Sequence, residues 1–162
     1  MTQLSNFTFD ELFIGQTTHY TRQVTERDLQ LFAAVSGDVN PLHLDEEFAA
    51  ESQFGERIAH GMLSGAFISA AIALQLPGPG TIYLEQSLRF RLPVKLNDTL
   101  TVHLEVTEKT DRRRVVKLVC NIENQNGKRV AMGTADVIAP AEKIIVDRPK
   151  LPEITVHGLT DF

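Results

Sequence analysis

Several features that mark particular classes of protein are scarce or missing in this chain of 162 residues. Cys120 is the only cysteine, so neither an internal disulfide nor a thiolate metal cluster can form, as is typical of a reducing cytoplasm. The 16 basic residues are outnumbered by 21 acidic ones, and the formal net charge of −5 argues against nucleic acid as the main partner. The first residues lack the basic start and apolar run of a secretory signal.

No stretch of the sequence has the length and hydrophobicity of a membrane span. The longest apolar run, residues 62–76, contains serines and a glutamine and is shorter than the roughly 20 residues that a span requires. Hydrophobic residues make up 43% of the chain and charged residues 23%, which is typical of a soluble globular domain. We therefore expect one cytoplasmic domain that binds neither membrane nor nucleic acid.

The first third of the chain carries the signals of one strand and two helices. Residues 17–24 alternate between apolar and polar side chains, which predicts a strand. Thr25 has the chemistry of a helix N-cap, and Gly37 is a natural end for the helix that follows. Asp45 predicts the start of a second, short helix with two glutamates in its first turn.

Residues 60–75 predict a third and longer helix. Its sequence is apolar on nearly every side, and a helix of this kind is surrounded by protein in a globular domain. At about 1.5 Å per residue it would run roughly 24 Å, enough to cross a small domain. Prolines and glycines at residues 77–80 end it.

Residues 81–139 predict β-structure throughout. Three stretches alternate with the period of two that a half-covered sheet requires. Their apolar members are Leu88, Phe90 and Leu92; Val102, Leu104 and Val106; and Val116, Leu118, Cys120 and Ile122. Asn126 and Gly127 predict a hairpin turn into a last strand at residues 130–137. We expect an α+β fold with one antiparallel sheet of about five strands, a single domain over residues 1–140 and an extended tail over residues 141–162.

The residues with the most chemical content form one short turn, residues 36–43, with the sequence Ser-Gly-Asp-Val-Asn-Pro-Leu-His. Gly37 can adopt backbone angles that are closed to other residues, and Pro41 fixes its own φ and holds Asn40 in an extended conformation. The carboxylate of Asp38 and the imidazole of His43 are therefore held with little freedom, as proton transfer requires. This arrangement favours an enzyme.

This turn, together with the Ala-His-Gly-Met sequence at residues 59–62, resembles the hydratase motif of the MaoC-like enzymes, which include the (R)-specific enoyl-CoA hydratases. The resemblance extends over residues 15–139 and includes the junction at residues 77–90. It implies the hot-dog fold, in which a curved antiparallel sheet wraps around a long central helix. It also implies a homodimer or a dimer of dimers with an acyl-CoA thioester bound near the subunit boundary.

The resemblance assigns roles to four residues, and the turn itself adds Asn40 as a candidate. Asp38 and His43 would be the catalytic pair, and the amide of Gly61 would form the oxyanion hole. Ser69 matches an active-site serine of the family, although a serine in a buried helix can equally bond back to its own backbone. Asn40 is a candidate substrate-binding residue, with bonding inside the turn as the alternative. No metal and no bound cofactor are implied.

The expected reaction is the hydration of trans-2-enoyl-CoA to (3R)-3-hydroxyacyl-CoA, with Asp38 and His43 acting on one water. Two alternatives remain at this point: a hot-dog acyl-CoA thioesterase and a non-catalytic acyl-CoA binding module. Arg112, Arg113 and Arg114 are either a solvated corner or a contact for the phosphates of CoA. His60 is expected to start or pack the third helix rather than to act in catalysis.

Overall fold

The computed structural model describes residues 3–155 of the chain. Within that range the helices are α1 (Glu26–Ser36), α2 (Pro41–Leu44), α3 (Glu46–Glu51) and α4 (Gly61–Leu74). The strands are β1 (Gln3–Ser5), β2 (Thr17–Gln23), β3 (Ile82–Gln86), β4 (Arg89–Phe90), β5 (Thr99–Thr110), β6 (Val115–Glu123), β7 (Arg129–Ile138) and β8 (Ile145–Asp147). A 3-10 turn at Arg112–Arg114 joins β5 to β6.

The main sheet is antiparallel, with the strand order β2-β5-β6-β7-β3, and β4 also pairs with β7. The alternating patterns predicted for β5 and β6 are confirmed, because Val102, Leu104, Cys120 and Ile122 are all buried. Val102 lies opposite Ile122 and Leu104 opposite Cys120, so the apolar side chains of the two strands share one face. This face forms the core together with α4.

Helix α4 packs on the sheet through one side only. Leu63, Phe67 and Ile68 are buried in the core cluster, whereas Met62 is 58% exposed, and Ala66 and two further positions on its side of the helix are also exposed. The prediction that protein surrounds this helix is therefore wrong for a single chain. The sequence is apolar all round, but within residues 3–155 only the sheet side of the helix is covered.

Helix α1 begins and ends at the predicted residues. The hydroxyl of Thr25 accepts a hydrogen bond from the amide of Asp28, and the Asp28 side chain accepts from the amide of Thr25. This capping box satisfies two amides that the first turn of a helix leaves free. At the other end Gly37 has a φ of 75°, so it reverses the chain directly before Asp38.

Helix α2 was not predicted. It has four residues and begins with Pro41, after Asn40 as its N-cap. A proline is favoured at the first position of a helix, because its fixed φ suits the helix and its missing N–H is not needed there. His43 therefore lies on a short helix rather than on an irregular loop.

The predicted strand around Leu88, Phe90 and Leu92 is wrong in its extent. Only Arg89 and Phe90 form a strand, and the side chains of Phe90 and Leu92 are substantially exposed rather than buried in the core. The chain here crosses very close to β7, where a Cβ atom at Gly133 would lie 1.9 Å from the carbonyl oxygen of Ser87. This crossing interrupts the regular pairing between β3 and β7.

Part of the predicted tail joins the fold. Strand β8 pairs with β1 in a small antiparallel sheet, in which Gln3 lies opposite Asp147. The domain boundary at residue 140 stays a prediction, and residues 156–162 lie outside the described range. Across the described residues, no helix combines the length and the hydrophobicity that a membrane crossing needs.

Candidate active site

Asp38 lies in an exposed turn that is held by bonds within the turn. The hydroxyl of Ser36 donates to the carbonyl of Phe32 over 2.6 Å and accepts from the amide of Asp38 over 3.2 Å. One carboxylate oxygen of Asp38 accepts from the amide of Asn40 over 3.2 Å. The other carboxylate oxygen remains available to a ligand or a water.

His43 lies on α2 and is only 8% exposed. Its Nδ1 is 2.7 Å from the carbonyl oxygen of Ile58. A carbonyl can only accept, so Nδ1 carries the hydrogen, and in the neutral ring Nε2 is left with the free lone pair. His43 is therefore fixed as a proton acceptor at Nε2.

Three side chains converge at this point: Asp38, His43 and His60 each offer an atom within 4.8 Å of the others. The two imidazole rings are stacked, with centroids 3.8 Å apart and planes inclined by 31°. Nitrogen lone pairs lie in the plane of the ring, so rings stacked in this way do not direct them at a common ion. The arrangement suits proton transfer better than metal binding.

A cleft of about 300 Å³ opens beside His43. Most of its walls are apolar, with Phe54, Phe90 and Leu92 among them, and Gly61 lies at its edge. An apolar cleft with a few polar groups at one end is the usual form of a small-molecule site. The polar groups here are His43, Ser64 and Arg91, together with the backbone of Gly61.

Gly61 is the first residue of α4, where amides have no partner within the helix. No side chain caps this end, and no carbonyl within residues 3–155 accepts from the Gly61 amide. The positive end of the helix dipole adds to the field at this point. The amide can therefore stabilise an oxygen on which negative charge develops.

The structure brings only some of the predicted site residues together. His43 and Gly61 line the cleft, and Asp38, which does not line it, has a carboxylate oxygen within 4.8 Å of an imidazole nitrogen of His43. The side chain of Asn40 caps α2 by accepting from the amide of Leu42. Ser69 lies about 12 Å further along α4 than Gly61 and is exposed on the uncovered side of that helix. Its role as an active-site residue stays a prediction.

The arginines of the β5–β6 turn lie far from the cleft within one chain. Val115 pairs with Ile138 at one end of the β6–β7 ladder, and Val130 reaches the cleft near the other end. At about 3.3 Å per residue, this ladder separates the turn from the cleft by roughly 25 Å. Arg91, in contrast, is exposed and lines the cleft itself.

His60 was expected to start or pack the third helix, and this is confirmed, because it is the N-cap of α4 and is buried next to His43. Ser64, one turn along α4 from Gly61, lines the cleft and was not singled out from the sequence. It had no usable signal, because serine is common inside apolar helices.

Cys120 is buried within the sheet and lies outside the cleft. Burial raises the pKa of its thiol to about 12, so the thiolate is essentially absent near neutral pH. Cys120 is therefore an unreactive residue of the core.

Comparison with known proteins gives consistent matches. A family model described as "MaoC like domain" matches residues 13–127. An "(R)-specific enoyl-CoA hydratase" of Rhodospirillum rubrum is 42% identical over 135 residues, which are 82% of this chain and 92% of that protein. A "3-hydroxybutyryl-CoA dehydratase" of Methylorubrum extorquens is 43% identical over 112 residues, 69% of this chain and 71% of that protein.

Among solved structures, the unliganded R-hydratase PhaJ1 from Pseudomonas aeruginosa has a TM-score of 0.92 and 57% sequence identity. The match covers 96% of this chain and 99% of that one. The overall architecture, an antiparallel sheet around α4, is therefore shared with a hydratase over nearly the whole chain.

Proposed function

Because this chain belongs to the MaoC-like family and has the hot-dog fold of its hydratases, we propose that it adds water to trans-2-enoyl-CoA and forms (3R)-3-hydroxyacyl-CoA. The relative named as an (R)-specific enoyl-CoA hydratase and the solved R-hydratase PhaJ1 support the reaction and its stereochemistry. The observation that carries the proposal is the convergence of Asp38 and His43 beside a cleft whose edge carries the free amide of Gly61.

The three groups divide the chemistry between them. The thioester oxygen accepts from the Gly61 amide, which draws electrons from the double bond and makes C3 electrophilic. Nε2 of His43 takes a proton from a water as the water oxygen bonds to C3, and the carboxylate of Asp38 holds the other O–H of that water. The protonated His43 then returns the proton to C2, so H and OH are added to one face of the substrate.

The acyl part of the substrate binds in the cleft in this proposal. Its apolar walls suit a hydrocarbon chain, and its volume of about 300 Å³ is at the lower end of small-molecule pockets. Arg91 at its rim is the basic residue best placed for a phosphate of CoA, whereas Arg112 lies at the far end of the sheet. We therefore infer that the pantetheine arm leaves the cleft past Arg91.

We also propose a homodimer. Met62 and Ala66 on α4 are exposed, and the edge strand β3 exposes Ile82 and Leu84 and has no partner on its outer side within the described residues. Pairing of two β3 edges would satisfy their free backbone groups, and a second chain packed on α4 would cover its apolar side. Light scattering should then give twice the mass of one chain; the mass of a single chain would refute the dimer.

A cytoplasmic location is supported by the buried, unpaired thiol of Cys120.

The test measures turnover of crotonyl-CoA by the loss of absorbance of the conjugated enoyl thioester. Asp38→Asn and His43→Gln should each lower kcat by about 10²–10⁴ with little change in melting temperature, since each removes one proton-transfer group. Asp111→Asn and His103→Gln are the matched controls, because both residues are exposed and distant from the cleft. Chiral analysis should give the 3R product.

Three results would contradict the proposal. Near-wild-type turnover in Asp38→Asn or His43→Gln would exclude the proton-transfer roles. Release of free thiol at the rate of substrate loss would identify a thioesterase. Binding of the thioester without any turnover by the wild-type protein would identify a binding module.

A further inference from the structure

His60 is buried in the middle of the site without a role in the proton transfers. It precedes Gly61 at the start of α4 and is 2% exposed. Its ring lies between two others: the His43 centroid is 3.8 Å away and the Phe32 centroid 5.0 Å away. The ring therefore forms one wall against which the His43 imidazole rests.

The same ring also holds the turn that carries Asp38. Nε2 of His60 lies 3.0 Å from the backbone carbonyl oxygen of Asp38, which accepts its hydrogen. The other hydrogen bonds of residues 37–40 run within the segment from Ala33 to His43. Within the described part of the chain, this is the one hydrogen bond that joins residues 37–40 to a distant element, whereas Leu42 and His43 at the end of the turn bond to Ile58.

The second ring nitrogen of His60 indicates that this residue serves the hydrogen bond to the Asp38 carbonyl. Nδ1 is buried and has no hydrogen-bond partner within the described residues. A buried polar atom without a partner costs free energy, so a phenyl or aliphatic side chain would be more stable here if packing were the purpose. The contact with the Asp38 carbonyl is the gain that offsets this cost.

We propose that His60 is a positioning residue for the hydration reaction. It fixes the distance between the Asp38 carboxylate and the His43 imidazole by bonding to the turn of the first and stacking on the ring of the second. This inference rests on the proposed function, because it acts through the two proton-transfer groups. It does not involve contact between His60 and the substrate.

Two substitutions separate the two contacts. His60→Phe keeps an aromatic ring but removes the N–H donor, and His60→Gln keeps a donor but removes the ring. A displacement of about 1 Å between reacting groups can cost about 10²-fold in rate, so kcat of His60→Phe should fall about 10- to 100-fold. His60→Gln should recover part of this loss. His103→Phe on the exposed sheet surface is the control and should keep wild-type kcat.

Two measurements distinguish positioning from a purely structural role. Binding of butyryl-CoA, which has no double bond to hydrate, should stay within about twofold of wild type in His60→Phe, so that the loss appears in kcat and not in binding. In an Asp38→Asn background, His60→Phe should change the residual kcat by less than about twofold, because the Asp38 carboxylate that His60 positions has already been removed. All rates are normalised to folded protein measured by circular dichroism.

The inference is overturned if His60→Phe keeps kcat within about twofold of wild type. It is also overturned if binding weakens as much as kcat falls, or if His60→Phe slows the Asp38→Asn variant as much as the wild type. If His60→Phe does not fold, His60→Gln goes through the same comparison. An inactive wild-type protein would refute the proposed function instead, whereas an active wild type with an active His60→Phe and an inactive Asp38→Asn would refute this inference alone.

Discussion

Gly61→Ala places one methyl group between the start of α4 and the ring of Phe90. A Cβ atom at this position would lie 3.1 Å from Cζ of that ring and 3.2 Å and 3.3 Å from its two Cε atoms. These distances are shorter than ordinary van der Waals contact, so the ring has to move by a few tenths of an ångström. Phe90 is 50% exposed and lies on the two-residue strand β4, so it can move without disturbing the core.

The substitution therefore separates stability from activity. Alanine is about 1 kcal/mol more favourable than glycine inside a helix, so we expect the free energy of unfolding to change by no more than about that amount. Loss of one oxyanion donor typically costs about 2.7–4 kcal/mol in the transition state. The methyl group displaces the substrate from the amide but leaves the amide in place, so kcat/KM should fall about 10- to 100-fold.

The assay is turnover of crotonyl-CoA together with urea denaturation. Gly65→Ala, one turn further along α4, is the matched control, because its Cβ atom would meet nothing closer than 3.4 Å. It should keep wild-type kcat/KM. Equal kcat/KM for Gly61→Ala and wild type would refute the oxyanion role of this amide. A collapse of stability would instead show that Phe90 cannot move.

Three further predictions concern stability, pH and assembly. Gly133→Ala would place its Cβ atom 1.9 Å from the Ser87 carbonyl oxygen, so it should lower the free energy of unfolding by about 3 kcal/mol. Urea denaturation measures this loss, and an unchanged urea midpoint would contradict the close approach of the two backbones. Hydrogen bonds from Arg57 lower the pKa of Glu26 below its ordinary value of 4.5. The ion pair therefore stabilises the fold fully at pH values above 4.5, and this stabilisation is lost as the pH falls through the lowered pKa. Glu26→Gln, at a partly exposed site, should therefore cost about 1 kcal/mol or less at neutral pH, and the difference from wild type should vanish in acid; a constant difference would refute the assignment. Ala66→Glu should give monomers in light scattering if the uncovered side of α4 is the dimer surface, and a persistent dimer would place the interface elsewhere.

Elements with short-range signals could be predicted from the sequence. The capping box of Thr25 and the left-handed Gly37 each depend on residues within one turn of the chain, and both lie where the sequence predicts them. The alternation in β5 and β6 was equally readable, because one face of each strand is buried. The position of Asp38 and His43 beside each other follows from this local order, since a glycine and a proline determine the path between them.

Features that depend on distant contacts could not be predicted in this way. The short extent of β4 results from a backbone crossing at Gly133, more than 40 residues away along the chain. The uncovered side of α4 carries small residues and a methionine and no charged residue, so its polarity does not mark it as the side that the sheet leaves uncovered. The burial of His60 also depends on two separate elements, which carry Phe32 and His43.

The walls of the cleft and the proposed proton-transfer groups belong to different parts of the chain. Phe54 and Leu92 stand on connecting segments and are partly or well exposed, while Asp38 and His43 are set by the turn between α1 and α2. Substitutions at the two wall positions cost the core little, because neither side chain is part of it. With the acyl chain in this cleft, as proposed, substitutions in these loops will change which chain lengths are accepted and will leave the reaction itself intact.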